Sequence, residues 1–187
     1  NLKDDTIIAY TTDHGCHFKT RNSEYKRSCH DSSLRIPLAF SGPGFENGGR
    51  LKQMVSLIDV PPTLLDACGL DIPSQMEGNS IMPLVDRKKV EWQEDIFSEI
   101  CEGDTLRRCV RTQRWKYSVK RPIDAEMNTD EMMEYAEEEL YDLKADPWEL
   151  NNLIGYQSHR KVSDVLKDRL LKRLDKIGQG NAVIHNA

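Results

Sequence analysis

Asp13, His14 and Gly15 stand at the end of an apolar run, Thr6-Ile7-Ile8-Ala9-Tyr10-Thr11-Thr12. A carboxylate and an imidazole are both metal ligands, so the pair could hold a divalent cation, with Gly15 letting the backbone turn away. Thr, Ile and Tyr favour strands, and a short run of them that stops abruptly reads as a buried parallel strand over 6–12. Ligands of open α/β sheets gather outside the carboxyl ends of strands, where this pair would sit. Taken alone, an Asp and a His after a strand more often serve as a helix cap and a loop histidine. The next segments change that balance.

Lys26 lies in a basic loop with His17, Lys19, Arg21 and His30, which runs on to Leu34-Arg35-Ile36-Pro37. The apolar Leu38-Ala39-Phe40-Ser41 then closes on Gly42-Pro43-Gly44, and Val55-Ser56-Leu57-Ile58-Asp59-Val60-Pro61-Pro62-Thr63-Leu64-Leu65 follows. Farther on come Arg111-Thr112-Gln113-Arg114-Trp115-Lys116-Tyr117 and the segment from Glu139 through Asp146-Pro147-Trp148-Glu149 to Leu153. In this order the motifs resemble the C-terminal half of the sulfatase family, within the alkaline-phosphatase-like superfamily. The resemblance covers Thr6 to Leu153. Several ordered motifs are far more specific than any one of them.

The resemblance implies the C-terminal part of an alkaline-phosphatase-like α/β/α sandwich, followed by a small α+β subdomain with an antiparallel sheet and one packed helix. It implies a protein that hydrolyses sulfate esters of sugars or aryl alcohols with a divalent metal and a formylglycine nucleophile. Asp13 and His14 align with metal ligands and Lys26 with the catalytic lysine that bridges sulfate and nucleophile oxygens. A compact ammonium suits that task. His17, Arg21 and His30, beside Lys26, could read an anionic substrate, or they could simply belong to a solvated basic loop. Calcium is the ion expected first; His14, where many relatives carry Asn, leaves manganese or magnesium open. Arg35 is expected to be structural and paired inside, and the Asp146–Glu149 turn is expected to be structural.

None of the five cysteines begins the Cys-x-Pro-x-Arg segment from which formylglycine is made, and no Ser-x-Ala-x-Arg alternative is present. Asp4-Asp5 reads as a solvated turn and not as the family's paired upstream carboxylates. The chain is therefore expected to hold half a metal site, to be inactive alone, and to need an N-terminal part of the same enzyme. Two other readings stay open: a phosphonate or phosphate monoester hydrolase of the same superfamily, and a non-catalytic binding or assembly module.

The elements that must position these residues follow from periodicity. Residues 1–90 read as strand, basic loop with a short helix (16–33), strand (36–41) and a helix from Asp59 to Ala67, with Asp59 as its cap, Pro61 and Pro62 in its first turn and Gly69 closing it. Cys68 reads as core. Residues 91–187 read as a subdomain of short strands at 95–100, 107–112, 115–120 and 139–143, with a hairpin turn at Thr112-Gln113-Arg114. Trp115 and Tyr117 read as sheet core. The acidic stretch 124–138, with Met127, Met132 and Met133, reads as a surface loop or short helix. Val162, Val165, Leu166, Leu170, Leu174 and Ile177 recur at helical spacing, so 160–177 is an amphipathic helix, with a frayed tail after Gly178 and Gly180.

Composition sets the bounds. Of 187 residues 38% are hydrophobic and 30% charged, polar for a globular domain, as expected if part of the core came from elsewhere. A net charge of −5 without a basic run argues against nucleic acid, and no segment is apolar and long enough to span a membrane. An odd cysteine count favours free thiols and leans towards a reducing, cytoplasmic setting.

Overall fold

The computed structural model describes residues 2–102, 104–122 and 133–187. In chain order its strands are β1 (Ile8–Thr11), β2 (Leu38–Ser41), β3 (Asp95–Glu102), β4 (Thr105–Thr112), β5 (Trp115–Pro122), β6 (Glu134–Asp142) and β7 (Val183–His185). Its helices are α1 (Asp31–Leu34), α2 (Val60–Ala67), α3 (Met82–Val85) and α4 (Arg160–Lys176). Two compact units result: one ends at Asp13 and resumes over Ile36–Ile96, and the other combines His14–Arg35 with Phe97–Ala187.

In the first unit β1 pairs with β2 antiparallel, from Ile8↔Ser41 to Thr11↔Leu38. This corrects the expected parallel strand. Nor is β1 buried: each of its residues is exposed, because the described residues cover neither face of the apolar run. Asp4 and Asp5 lie in an exposed 3-10 turn, as a solvated turn requires. Prolines open α2, and Gly69, at φ +69°, ends it with its N–H on the Asp66 carbonyl. Cys68 falls at the exposed end of α2 and is not core.

Asp59 precedes α2 but does not cap it with its side chain. Its buried carboxylate instead accepts from the N–H groups of Ser56 and Asn79, both at 2.8 Å, and from Gln93 Nε2 at 2.9 Å. It therefore ties three loop segments of this unit together, satisfying donors that burial would otherwise leave unpaired.

The second unit is a five-stranded sheet in the order β3-β4-β5-β6-β7. β4 and β5 form a hairpin across Gln113-Arg114, with Thr112 Oγ1 accepting from the Trp115 N–H at 2.9 Å. Leu166, Leu170 and Leu174 recur every fourth residue along α4 and pack on Val110, Tyr117, Val119 and Leu140 of the sheet. Trp115 lies at the edge of that core, while Val165 and Ile177 of the expected helix face are exposed. The side-chain spacing of a helix defines a stripe, and those two fall at its margins.

Three expectations change here. Residues 123–132, with Met127 and Met132, lie outside the described residues, but Met133 is buried and Glu134–Glu138 belong to β6. Charge hid that strand's alternation. Tyr135 and Glu137 point inward, and the Glu137 carboxylate accepts from Arg160 Nη1 at 2.7 Å and Tyr117 Oη at 3.1 Å. The tail after Gly180 is not frayed throughout: β7 adds to β6 in parallel, Tyr135 facing Ile184. The sheet is therefore mixed, not purely antiparallel.

Candidate functional site

The second unit begins at His14, and its first segment doubles back on itself. The Gly15 N–H donates to the Ser33 carbonyl at 2.8 Å, and a Cβ on Gly15 would lie 2.1 Å from the Ser32 carbonyl oxygen. Glycine is required here for close approach of two backbones, not for a left-handed turn.

His14 is half-buried. Its Nδ1 lies 2.8 Å from the Gly15 carbonyl, which can only accept, so Nδ1 carries the proton and Nε2 the lone pair. Lys26 Nζ donates to that lone pair at 2.7 Å. The Tyr25 ring flanks both groups, 6.1 Å from the His14 ring and 5.5 Å from the Lys26 ammonium. A histidine whose far nitrogen is fixed by a carbonyl keeps its lone pair on Nε2; that is the tautomer a metal ligand would need, and here Lys26 uses the lone pair. Asp13, at the end of the first unit's N-terminal segment, is exposed, and its Oδ1 accepts from Thr12 Oγ1 at 3.2 Å. The carboxylate of Asp13 and the imidazole of His14 are each of a type that ligates divalent metals. Among the described residues no three His, Cys, Asp or Glu side chains come together to complete a site.

The loop from His17 to Lys26 is pinned at its base. The His17 N–H donates to the Tyr25 carbonyl at 2.8 Å, and His17 Nε2 donates to the Lys26 carbonyl at 2.6 Å. Asn22 Nδ2 adds bonds to the Lys26 carbonyl at 3.3 Å and the Arg27 carbonyl at 3.1 Å. Phe18 and Lys19 take left-handed φ angles of 51° and 61° in the turn that Thr20 closes back onto the His17 carbonyl.

Behind the loop lies a buried ionic network. Lys116, on β5, is 1% exposed; its ammonium pairs with the Glu149 carboxylate and lies 3.5 Å from Asp31. Arg111 holds Asp31 in a two-pronged pair, Nε at 2.9 Å and Nη2 at 2.7 Å. The other Glu149 oxygen accepts from the Asp31 N–H at 2.7 Å. Burial pushes the Asp31 carboxyl up, but the Arg111 hydrogen bonds and the Lys116 charge outweigh it and leave the group below its ordinary range. Burial lowers Lys116 against the opposing pull of its anionic neighbours. The Cys29 thiol is pushed well up by its hydrogen bond with Cys109 and by burial, so Cys29 stays protonated.

The basic-loop residues proposed to read a substrate make contacts within the protein. His17 is 2% exposed and is spent on the Lys26 carbonyl. Arg21 donates to the backbone carbonyls of Glu149, at 2.8 Å, and Trp148. His30 is 5% exposed, 3.3 Å from the Tyr141 hydroxyl; burial and the nearby Lys116 and Arg21 charges lower its pKa to about 3, so it is neutral. Arg35 is exposed and, among the described residues, is not paired inside. Tyr25, Lys116 and Glu149 are the residues that sequence reasoning left out of the site. The Trp115-Lys116-Tyr117 and Asp146–Glu149 motifs carried the signal for the last two, but nothing in them showed that they grip the basic loop.

A family model described as N-sulphoglucosamine sulphohydrolase, C-terminal, matches residues 23–176. The chain is 32% identical over 183 residues to arylsulfatase K of Canis lupus familiaris, covering 89% of this chain and 32% of that protein. It is 26% identical, with a TM-score of 0.72, to a protein solved in complex with its substrate D-glucosamine-2-N,6-O-disulfate, covering 95% of this chain and 36% of that one. A phosphonate monoester hydrolase from Silicibacter pomeroyi superposes with a TM-score of 0.72 at 22% identity, over 92% of this chain and 35% of that one, and shows the fold alone. The chain thus spans about a third of the length of the relatives it matches.

Proposed function

Because the chain belongs to the sulfatase family, in the group described as N-sulphoglucosamine sulphohydrolase C-terminal domains, we propose that it forms the C-terminal part of a sulfatase that hydrolyses sulfate esters of sugars or aryl alcohols. The observation that carries this reading is the 2.7 Å contact between Lys26 Nζ and His14 Nε2. It joins the lysine and the histidine that the family pattern assigns to sulfate and metal.

Cleavage of a sulfate ester builds negative charge on the sulfuryl oxygens and on the leaving oxygen, and fixed cationic groups lower that barrier. Lys26 supplies one such group. Its backbone is clamped by His17 and Asn22, so little reorganisation is left for the moment of reaction. His14, oriented by the Gly15 carbonyl, and Asp13 would be the protein ligands of a divalent ion. That ion, calcium first among the candidates, would act as a Lewis acid on sulfate oxygens. The formylglycine nucleophile and the remaining ligands belong to a part of the protein outside this chain. The chain alone is accordingly inactive.

The test is turnover of sulfate and phosphate esters side by side by the protein that carries this chain together with its formylglycine segment. A higher rate on sulfate, lost with Lys26→Ala, supports the sulfatase reading. Preference for phosphonate or phosphate esters overturns it in favour of the other branch of the superfamily. Absence of turnover on every ester, with Asp13 and His14 indifferent to metal, favours a binding module.

A further inference from the structure

We propose that His17 is a positioning residue for Lys26, acting through the lysine's backbone and not on the substrate. The proposal rests on the reading of Lys26 as the sulfate-binding cation. Its observations are geometric. The His17 ring is 2% exposed, so no external anion reaches it, yet its Nε2 makes the shortest polar contact to the Lys26 backbone, 2.6 Å to the carbonyl. Nδ1 has no hydrogen-bond partner among the described residues, so the ring's polar chemistry is spent on that one bond. The same residue's N–H donates to the Tyr25 carbonyl at 2.8 Å. His17 therefore grips the two consecutive peptides that carry Tyr25 and Lys26.

The arrangement has a mechanical consequence. The Lys26 side chain starts at this clamped peptide and ends on His14 Nε2 at 2.7 Å. A rigid, buried ring fixes the origin of a long flexible side chain whose tip must be placed to within a fraction of an ångström. Without the imidazole, the Lys26 carbonyl keeps, among the described residues, only the 3.3 Å bond from Asn22, next to the left-handed Arg27, φ 61°. Displacement of a reacting group by about 1 Å costs on the order of a hundredfold in rate.

The experiment compares His17→Leu and His17→Gln with the parent sequence, using this whole chain. Leucine fills the space without a donor. Glutamine offers an Nε2 donor at comparable reach. The contact is read directly, from the His14 ring nitrogens in long-range proton–nitrogen spectra and from the proton–proton proximity of the Lys26 ε-methylene to the His14 ring. Amide exchange in β4–β6 and α4 reports whether the unit is folded. We expect His17→Leu to lose the Lys26–His14 contact with the sheet still protected, and His17→Gln to keep it. Retention of the contact in folded His17→Leu overturns the proposal, as does its loss in folded His17→Gln. If His17→Leu does not fold, His17→Gln decides by the same criterion.

A second arm, in the longer protein and with para-nitrophenyl sulfate as probe, separates the role of His17 from the sulfatase reading. There kcat is expected to fall by about a hundredfold in His17→Leu with KM changed far less, and to recover to within a few-fold in His17→Gln. If the unsubstituted longer protein hydrolyses no sulfate, the sulfatase reading fails, and the contact measurement still decides the role of His17.

Discussion

Lys26 Nζ lies 2.7 Å from His14 Nε2, so an ammonium stands where the lone pair of the histidine proposed as a metal ligand points. The proton on Nδ1, held by the Gly15 carbonyl, leaves the lone pair on Nε2, where Lys26 uses it as its acceptor. Two residues twelve positions apart are thus brought together by a loop whose base is clamped by His17 and whose ends are stitched by Gly15 and Ser33.

The stitch is tight enough to test. Gly15→Ala places a methyl where the Ser32 carbonyl oxygen now is, at 2.1 Å, so backbone and not a side-chain tip must yield. Destabilisation of roughly 1–3 kcal/mol is expected, with the Ser33 end of the loop exchanging its amides faster. Unchanged denaturant midpoints would show that the two backbones do not meet.

The buried network predicts an asymmetry. Lys116→Met removes the cation beside Glu149, itself 3% exposed, and leaves a buried carboxylate without its charge partner. The cost is about 3–5 kcal/mol. Adding Glu149→Gln to that variant removes the stranded charge while keeping an acceptor for the Asp31 N–H, so the double variant is expected to be more stable than Lys116→Met alone. A double variant less stable than Lys116→Met contradicts the assignment.

Acid sensitivity follows from His30. Its folded pKa, about 3, lies below the ordinary 6.5 because burial and the Lys116 charge oppose protonation. Between those values the unfolded chain binds more protons than the folded one, so stability falls as pH drops from 6.5 towards 3 and is flat above 6.5. Roughly 3 kcal/mol is lost between pH 6.5 and 4 from this residue. Urea midpoints of the parent and of His30→Gln, followed across that range, check it: the slope is expected to shrink in the variant, and an equal slope in both excludes His30 as the cause.

Calcium binding by the chain alone is expected to be weak. A hard cation takes six to eight oxygens, and Asp13 with His14 offers a carboxylate and an imidazole. Calorimetric titration with calcium is expected to give no submicromolar affinity; finding one would mean that other groups complete the site.

Much of this was legible in the sequence because it depended on spacing. The Leu166-Leu170-Leu174 stripe, the Thr112–Trp115 hairpin and the proline-led α2 each rest on a local rule, and each appears where the rule puts it. What escaped was set by tertiary partners. β1 reads as buried on both faces and is exposed, since burial belongs to whatever covers a strand and not to the strand itself. Glu134–Glu138 look like a solvated acidic stretch and form a strand, because Arg160 neutralises Glu137 from a helix far along the chain. β7, at three residues, is too short to show a period. At the site, residue types pointed to Lys26 and His14, whereas burial separated them from His17 and His30, and burial is not written in a basic loop.

The most direct measurement of the central claim is the turnover of para-nitrophenyl sulfate by the longer protein carrying this chain, with Lys26→Ala, Lys19→Ala and the parent sequence compared at equal folded concentration. Loss of one well-placed cation costs about 3–4 kcal/mol of transition-state stabilisation, or two to three orders of magnitude in kcat. That loss is expected for Lys26→Ala, with an unchanged melting temperature and near-parental turnover for Lys19→Ala. Near-parental turnover in Lys26→Ala, with the loss falling on Lys19→Ala instead, would contradict the reading of Lys26 as the sulfate-binding cation.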